Sequence, residues 1–276
     1  MDLNGIRLGI IGIINEVINY LLKGNTSSKI IGVGASGDVT KEFDKISEDI
    51  IVRGIRSIFN DDVLIVSEEL GAKTYGSGKW VAIIDPVDGS TNYDSGIPWV
   101  SISIGIARHN KGGTKVKDEV LAIVADVFRR TIYEYYNGEV FIDGVKAFRL
   151  RRPKNVVFGY FEKPEAYGII PAYWKIRGSK AALRSLGSVA LEMIYLGLGR
   201  AEALVDLRAK IRNVDIAAAY RIAHTLGAKA ALCDGSPLED FPIDDLLNVK
   251  CLLAGYDGSI LNKLFSAYNL SKKVGH

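Results

Sequence analysis

The sequence predicts an α+β protein whose layered sheets are covered by helices. Apolar residues recur at helical spacing near the amino terminus, short β-branched or alternating runs follow, and helices and strands alternate in the second half. With 48% apolar and 24% charged residues among 276, the chain has the composition of a folded protein and not of a disordered one. This order of elements favours covered sheets over one regular βαβ series.

The first half is predicted to begin with helices and to continue with strands. Apolar residues recur at helical spacing over 3–22 and again over 40–59. Gly24 is expected to end the first of these helices. Between these helices, the glycine-rich segment 31–38 is too flexible for the interior of a strand. Short apolar runs bounded by turn residues predict strands at 63–66, 80–84, 100–107, 120–127 and 131–136.

The second half alternates strands and helices. The predicted helices are 187–198, 214–226 and 260–268, and the predicted strands are 156–160, 203–205, 228–232 and 251–254. A basic stretch at the boundary is expected to be a solvated loop, because no aromatic residues are interleaved with it; its members are Arg149, Arg151, Arg152 and Lys154. We treat 1–148 and 149–276 as two halves of a single unit, 1–276.

Charge and cysteine content exclude several classes of protein. Lys and Arg number 35 and Asp and Glu 32, so the net charge of +3 gives no argument for a nucleic acid partner. Apolar runs such as 8–14 fall short of the roughly 20 residues of a membrane span, and no basic signal-peptide region precedes them, so we expect a cytoplasmic protein without a membrane partner. Cys233 and Cys251 are too few for a disulfide framework or a zinc ribbon, and their apolar neighbours predict buried thiols.

Acidic residues follow two predicted strands at their carboxyl ends. Glu68 and Glu69 come directly after one apolar strand, Asp85 and Asp88 come after the next, and Asp215 opens a helix. Acids at the carboxyl ends of strands point into the crevice where open α/β sheets bind ligands. Each position also has an ordinary explanation, since solvated turns, turn openers and helix N-terminal acids need no ligand.

The segment 85–92, Asp-Pro-Val-Asp-Gly-Ser-Thr-Asn, is not explained by turns alone. Its proline fixes φ, so the carboxylates of Asp85 and Asp88 and the carbonyl of Val87 are able to turn toward one point. Gly89 lets the backbone approach a ligand closely, and the N–H and hydroxyl groups that follow suit an anion. Mg²⁺ selects hard oxygen ligands of this kind, so the segment predicts metal-assisted phosphoryl transfer to water.

Together these segments resemble the lithium-sensitive, Mg²⁺-dependent phosphatases that include inositol monophosphatase and fructose-1,6-bisphosphatase. The family pattern is an acidic pair after one strand, Asp-Pro-(Ile/Val/Leu)-Asp-Gly-(Ser/Thr)-Thr-Asn after the next, and an Asp that opens a helix rich in small residues, and all three are present in order. The resemblance covers nearly the whole chain and is greatest to archaeal-type enzymes that accept both substrates. It implies an αβαβα sandwich of the sugar-phosphatase type, a homodimer, and small phosphate esters as substrates. The usual Trp and Gly near the late Asp are Val214 and Ala219 here, which bears on substrate preference more than on chemistry.

The resemblance implies two or three Mg²⁺ ions in one site. Glu68, Asp85 and the carbonyl of Val87 would hold the first ion, and Asp85, bridging the two, would hold the second with Asp88 and Asp215. Glu69 would assist a third, weaker ion. Two divalent ions about 3.5–4 Å apart clamp the attacking and leaving oxygens of an in-line displacement.

The resemblance also implies which residues act on the attacking water. Ser90 and Asp44 would share this water, and Glu68 would take part as a catalytic metal ligand. The segment that carries Asp44 is one residue longer than in the animal inositol enzymes, and the ordinary alternative for Asp44 is a solvated helix acid.

Substrate-binding positions follow from the same match. They are Asp88, Gly89, Ser90, Arg184, Val189 and Arg208. Animal inositol enzymes carry an acid near the position of Arg208, whereas an arginine suits a second phosphate and hence fructose 1,6-bisphosphate. For Arg184 and Arg208 alike, the alternative is a surface ion pair.

Three questions stay open at the level of the sequence. The glycine-rich segment before Asp38 is either a mobile lid that brings Asp38 and Asp44 to the metals or a flexible connection. A rival substrate is 3′-phosphoadenosine 5′-phosphate, although no additional segment for an adenine pocket is found. A rival of another class is a metal-dependent phosphosugar-binding protein without turnover, which the complete set of acids argues against.

Overall fold

The structure is a computed structural model that describes residues 2–23, 26–35, 37 and 39–274. The helices are α1 (Leu3–Leu22), α2 (Glu42–Ile58), α3 (Ser90–Asp94), α4 (Ile169–Arg177), α5 (Val189–Gly197), α6 (Asn213–Thr225) and α7 (Gly258–Val274). The strands are β1 (Ile30–Val33), β2 (Val39–Lys41), β3 (Val63–Ser67), β4 (Gly71–Tyr75), β5 (Trp80–Asp88), β6 (Ser101–Arg108), β7 (Glu119–Asp126), β8 (Thr131–Tyr136), β9 (Glu139–Ile142), β10 (Val145–Lys146), β11 (Val156–Tyr160), β12 (Ala182–Arg184), β13 (Ala203–Asp206), β14 (Ile211–Arg212), β15 (Lys229–Ala231), β16 (Asn248–Val249) and β17 (Leu252–Gly255).

Two large sheets organise the fold. The first has eight strands in the order β10-β9-β8-β7-β6-β5-β3-β4, and within it β3 and β5 run parallel with Ile65 opposite Ala82. The second has five strands in the order β12-β11-β13-β17-β15, and β11 runs parallel to both of its neighbours. Because β3 and β5 are parallel neighbours, their carboxyl ends meet at one edge of the first sheet.

Helices and sheets alternate in five layers. α1 and α2 pack on one face of the eight-stranded sheet, α5 and α6 lie between the two sheets, and α4 and α7 cover the outer face of the five-stranded sheet. Each face of a strand therefore meets a different apolar cluster: in β7, Ile123 faces α1 and α2, whereas Val124 faces α5 and α6. This arrangement confirms the predicted α+β class and the αβαβα sandwich.

α1 is a core helix of the first layer. By length and composition alone this 20-residue helix is apolar enough to cross a membrane. In the fold, however, one face of it is buried against α2 and the first sheet; the buried side chains are Ile6, Ile10, Ile13, Ile14, Val17, Ile18 and Leu21. Gly54 of α2 allows the close approach of the two helices, since a Cβ there would lie 2.5 Å from the side chain of Ile13.

The glycine-rich segment corrects one prediction. Ile30–Val33 and Val39–Lys41 form an antiparallel hairpin, so the view that this segment is too flexible for a strand was wrong. Gly32 lies opposite Thr40 in the ladder and needs no special conformation there, since two edge strands with exposed faces tolerate a small residue. Gly24, which was expected to stop α1, and Asp38, which was expected on a lid, both lie outside the described residues.

Two further expectations are corrected in the second half. Cys233 and Cys251 are not separate buried thiols, because they form a disulfide with their Cα atoms 5.6 Å apart. No sequence pattern indicates that β15 and β17 are paired neighbours, and this pairing brings the cysteines together. Arg149 is not part of a solvated loop, since its guanidinium stacks 3.5 Å from the ring centroid of Tyr256 and donates to the carbonyl of Leu226 at 2.5 Å.

Candidate active site

The end of β5 carries the first two acids of the site on a bulge. Asp85 pairs with Ser103 and Asp88 with Ser101, so β5 has one residue more than β6 between these pairs. Pro86 lies inside the bulge, where its missing N–H removes no ladder hydrogen bond. The Asp85 Oδ1 atom accepts a hydrogen bond from the Val87 backbone N–H at 3.0 Å, which closes the bend.

Gly89 turns the chain from β5 into α3. Its φ of +96° lies in the left-handed region, and a Cβ there would be 3.0 Å from the carbonyl oxygens of Gly187 and Trp99. Only glycine meets both requirements without strain. The turn leaves Ser90 at the first position of α3, beside the bulge.

Asp88 is held by the second half of the chain. Its Oδ2 atom accepts from the Ser188 hydroxyl at 2.6 Å, from the Ala190 backbone N–H at 2.8 Å and from the Ser101 hydroxyl at 3.2 Å. Ser188 also caps α5, so the start of this helix is attached to the carboxylate. These donors fix one carboxylate oxygen of Asp88, whose side chain lines the cleft.

Asp215 reaches the same place from α6. It is the third residue of the helix, and its Oδ2 atom accepts from the Arg212 backbone N–H at 2.9 Å. The side chain of Asn213 anchors this helix start by donating to the carbonyl oxygens of Pro242 and Asp245, at 3.0 and 2.7 Å. The position of Asp215 therefore depends on the loop that precedes β16.

A single cleft of about 210 Å³ collects these side chains. It is lined by Glu68, Asp85, Val87, Asp88, Gly89, Ser90, Thr91, Tyr160, Gly187, Val189, Arg208, Lys210, Ile211, Arg212 and Asp215. Carboxylates from two strands and a helix thus share one cavity with a bulged loop and three basic side chains.

The carboxylates raise one another's pKa values. Burial, and then the negative charges of Asp88, Glu68 and Asp215, raise the pKa of Asp85 well above its usual range. Burial also raises the pKa of Asp88, against the opposing effect of its hydroxyl and N–H donors, and it raises the pKa of Asp215 to about 7. A divalent cation would relieve this concentration of negative charge.

The donor chemistry of the cleft suits such a cation. The acids and the Val87 carbonyl offer only oxygen, which Mg²⁺, Ca²⁺ and Mn²⁺ prefer. Among the described residues, no three acidic, histidine or cysteine side chains already stand in the arrangement of a metal site. The carboxylates would therefore have to draw closer together around an ion.

Three basic residues, Arg208, Lys210 and Arg212, also line the cleft, and we call them its basic wall. The Arg208 guanidinium is fixed by Asp206, whose Oδ2 atom accepts from Nε at 3.0 Å and from Nη2 at 2.5 Å, and it lies 4.0 Å from the ring centroid of Tyr160. Arg212 Nη1 lies 3.4 Å from Glu68 Oε1, and Lys210 pairs with Glu162. The cleft thus combines acidic and basic side chains.

Comparison with known proteins assigns the family. The model of the inositol monophosphatase family matches residues 7–266. The chain belongs to the inositol monophosphatase family. Enzymes of this family are phosphatases that depend on metal ions, and this chain is one of these phosphatases.

This member of the inositol monophosphatase family is similar to two archaeal proteins and to a solved structure. It is 33% identical over 240 residues to a fructose-1,6-bisphosphatase/inositol-1-monophosphatase of Methanocaldococcus jannaschii, covering 85% of this chain and 87% of the relative. It is 32% identical over 228 residues to a fructose-1,6-bisphosphatase of Pyrococcus furiosus, covering 80% and 81%. A solved structure titled inositol monophosphatase-fructose 1,6 bisphosphatase superimposes with a TM-score of 0.76 at 29% identity, covering 97% of this chain and 100% of that one.

Among the predicted site residues that the structure describes, three do not line the cleft. Asp44 is buried at the start of α2, where its Oδ2 atom accepts from the Lys41 backbone N–H at 3.2 Å. Burial, and more weakly the charges of Glu69 and Asp94, raise the pKa of Asp44 to about 7. Glu69 accepts a hydrogen bond from the Thr40 hydroxyl behind the cleft.

Arg184 is the third residue outside the cleft. Its side chain is exposed on the edge strand β12, and its Nη1 atom donates to the carbonyl of Leu183 at 2.7 Å. The remaining predicted residues that the structure describes line the cleft, whereas Asp38 lies outside the described residues. The sequence did not single out Tyr160, Lys210 or Arg212, although the alternation of basic residues over 208–212 was a readable signal.

Proposed function

We propose that this chain is a Mg²⁺-dependent phosphomonoesterase that hydrolyses sugar and polyol phosphates, with fructose 1,6-bisphosphate and inositol 1-phosphate among them. The observation that carries the proposal is the single cleft that Asp85, Asp88, Glu68 and Asp215 share with the basic wall. The names of the two archaeal relatives support the same substrates. A phosphate ester fits this polarity, because its phosphate group binds cations. A sugar bisphosphate carries a second anionic group as well.

We propose that the site binds two or three Mg²⁺ ions, which the all-oxygen donor set of the cleft supports. Glu68, Asp85 and the Val87 carbonyl would hold one ion, and Asp88 and Asp215 would hold another with Asp85 between them. Glu69, adjacent to Glu68 in the turn after β3, would assist a third. When bound, the ions supply charge neutralisation and a more acidic water for direct attack on phosphorus.

The chain's own groups would orient the reactants. The backbone N–H groups of Gly89 and Ser90 would donate to the phosphate, since the positive φ of Gly89 points the turn into the cleft. The Ser90 hydroxyl would hold the attacking water. The family resemblance assigns Asp44 the same role, and its pKa of about 7 suits proton exchange near neutral pH, although its side chain does not line the cleft in this structure. Val189 would contact the uncharged part of the substrate.

Arg208 and Lys210 favour a substrate with a second anionic group. Arg208 is held rigid by Asp206 and by the ring of Tyr160, so little side-chain entropy is lost when it binds an anion. Lys210 is exposed at the rim and adds charge where a second phosphate would lie. This wall supports fructose 1,6-bisphosphate over the monophosphate of a neutral polyol.

The remaining assignments concern assembly. We propose that the halves 1–148 and 149–276 act as one catalytic unit, because Asp88 from the first is bonded to Ser188 and Ala190 from the second. A homodimer in the cytoplasm is proposed on the family resemblance. Sedimentation of the purified protein at micromolar concentration tests the dimer.

Phosphate release from purified protein tests the proposed activity. The substrates are fructose 1,6-bisphosphate, inositol 1-phosphate and 3′-phosphoadenosine 5′-phosphate, each assayed with Mg²⁺, with excess chelator, and with Mg²⁺ plus Li⁺. We expect release only with Mg²⁺ and only background release from D88N, whose circular dichroism should match the wild type. Release from the adenosine compound alone would replace the proposed substrate class, and binding without release would identify a non-catalytic phosphosugar-binding protein.

A further inference from the structure

Glu48 is a buried carboxylate behind the acidic turn. It lies on α2, one helical turn after Asp44, and its side chain is completely shielded from solvent. A charged group in such a place is tolerated only when its oxygens are paired. The partners of Glu48 therefore indicate why an acid stands here.

Glu48 is hydrogen-bonded to the residues on either side of Glu68 and Glu69. Its Oε1 atom accepts from the Ser67 hydroxyl and from the Leu70 backbone N–H, the latter at 3.0 Å. Glu68 and Glu69 occupy the turn between these two residues. One carboxylate oxygen thus joins the first and the last residue of the turn that carries two of the proposed metal ligands.

The other oxygen of Glu48 is paired with a lysine. Oε2 accepts from Lys45 Nζ at 3.2 Å, and the same ammonium group donates to Asp49 at 2.8 Å. Lys45 is partly exposed, so this ion pair contributes little to stability. Of the two carboxylate oxygens of Glu48, only Oε1 bonds to the turn, and an amide oxygen would replace it.

We propose that Glu48 is a positioning residue that sets the geometry of Glu68 and Glu69 for metal binding. α2 then locates two parts of the site at once, since it carries both Asp44 and the carboxylate that holds the turn. This inference rests on the proposed function, because it assumes that the turn ligates metal. Residues that orient metal ligands from behind typically change metal affinity by about 10–100-fold when they are removed.

Metal binding without substrate provides the test. Mn²⁺, which shares the preference of Mg²⁺ for oxygen ligands, is titrated into metal-free protein and the free ion is measured by electron paramagnetic resonance. We expect E48A to bind Mn²⁺ at least about tenfold more weakly than the wild type. We expect E48Q, whose amide oxygen still accepts from Ser67 and Leu70, to stay within about threefold.

D49A is the matched control, because Asp49 is the neighbouring acid on α2 and is bonded to the same lysine but not to the turn. Urea unfolding of the metal-free variants checks that each is folded. If E48A does not fold, S67A serves instead, since it removes one donor of the turn; weaker Mn²⁺ binding by S67A supports the proposal.

The outcomes separate this inference from the proposed function. Mn²⁺ affinity equal to wild type in folded E48A or in S67A overturns the role of Glu48 and leaves the enzyme assignment intact. Loss of affinity in E48Q as large as in E48A also overturns it, because the charge and not the tether would then matter. A wild-type protein that binds no Mn²⁺ overturns both.

Discussion

The Ser188 hydroxyl lies 2.6 Å from Asp88 Oδ2, so a side chain from the start of α5 holds a carboxylate at the end of β5. Ser188 belongs to the helical layer between the two sheets, and Asp88 lies at the end of the eight-stranded sheet and lines the cleft. Removal of this hydroxyl tests whether the contact matters to both stability and catalysis.

S188A should lower both the free energy of unfolding and the rate of phosphate release. The substitution removes a hydrogen bond to a carboxylate and the cap of α5, which together stabilise the fold by about 1–3 kcal/mol. We expect kcat/KM to fall on the order of tenfold, as for a loss of about 1.4 kcal/mol of transition-state stabilisation. Urea unfolding and steady-state phosphate release measure the two effects.

Ser266 supplies the control for S188A. Its hydroxyl donates to the Asn262 carbonyl on the exposed face of α7, far from the cleft in the outer layer. S266A should therefore change neither quantity. Wild-type kinetics in S188A would show that Ser101 and the Ala190 N–H are sufficient to hold Asp88.

R208A should discriminate between substrates. A rigid guanidinium that binds a second phosphate contributes about 1.5–3 kcal/mol through charge-assisted hydrogen bonds, so KM for fructose 1,6-bisphosphate should rise on the order of tenfold or more. Inositol 1-phosphate has no second phosphate, and its KM should change by less than about threefold. Steady-state kinetics on both substrates measure the difference.

R184A is the matched arginine variant, because Arg184 is exposed on β12 and does not line the cleft. It should leave both KM values unchanged. An equal rise of KM for the two substrates in R208A would mean that Arg208 binds the reacting phosphate or a hydroxyl common to both.

Strong periodicity explains which elements were predictable. The bounds 3–22, 131–136 and 156–160 agree with α1, β8 and β11, because uninterrupted apolar patterns mark them. β4 was missed because three of its five residues are exposed, so its sequence lacks the apolar pattern that marks a buried strand. α4 was missed because Pro171 interrupts its helical pattern, although a proline in the first turn of a helix is well tolerated.

The site divides in the same way. The acids and the bulged loop were predictable because their chemistry is local to short segments of the chain. Tyr160 and Glu48 were not, since each acts through neighbours that only the packing of layers brings near: Arg208 and the turn at Ser67. Long-range contacts of this kind leave no spacing in the sequence.

Glu119 should make stability depend on pH. It is buried at the start of β7, neither of its side-chain oxygens has a hydrogen-bond partner among the described residues, and burial raises its pKa well above the usual range. A carboxyl whose folded-state pKa is raised contributes stability that is complete below its unfolded pKa of about 4.3 and is lost as pH rises through the folded value. Each unit of elevation corresponds to about 1.4 kcal/mol.

E119Q removes this titration while keeping the shape of the side chain. Gly105 leaves the space that the carboxyl occupies, since a Cβ there would lie 1.8 Å from Glu119 Oε1, so an amide of the same size fits. We expect the free energy of unfolding of E119Q, measured in urea from pH 4 to pH 9, to decline less with pH than that of the wild type. Parallel curves for the two proteins would contradict the assignment, and E139Q, at an exposed glutamate of β9, is the control.

The disulfide should stabilise the part of the chain that carries the basic wall. Cys233 and Cys251 close a loop in which Asn248 pairs with Arg212 and donates from Nδ2 to the Ala209 carbonyl at 2.9 Å. A disulfide across a loop of this length stabilises a protein by about 3 kcal/mol, chiefly by restricting the unfolded chain.

We therefore expect the C233S/C251S double variant to unfold at lower urea concentration than the wild type, and wild-type protein treated with a thiol reductant to match it. Reductant should not change the double variant further, which separates loss of the disulfide from other effects of the reagent. Because the loop contacts the segment 209–213 through β14 and β16, KM for fructose 1,6-bisphosphate should also rise. A double variant as stable as the oxidised wild type would show that strand pairing between β15 and β17 holds this loop without the covalent link.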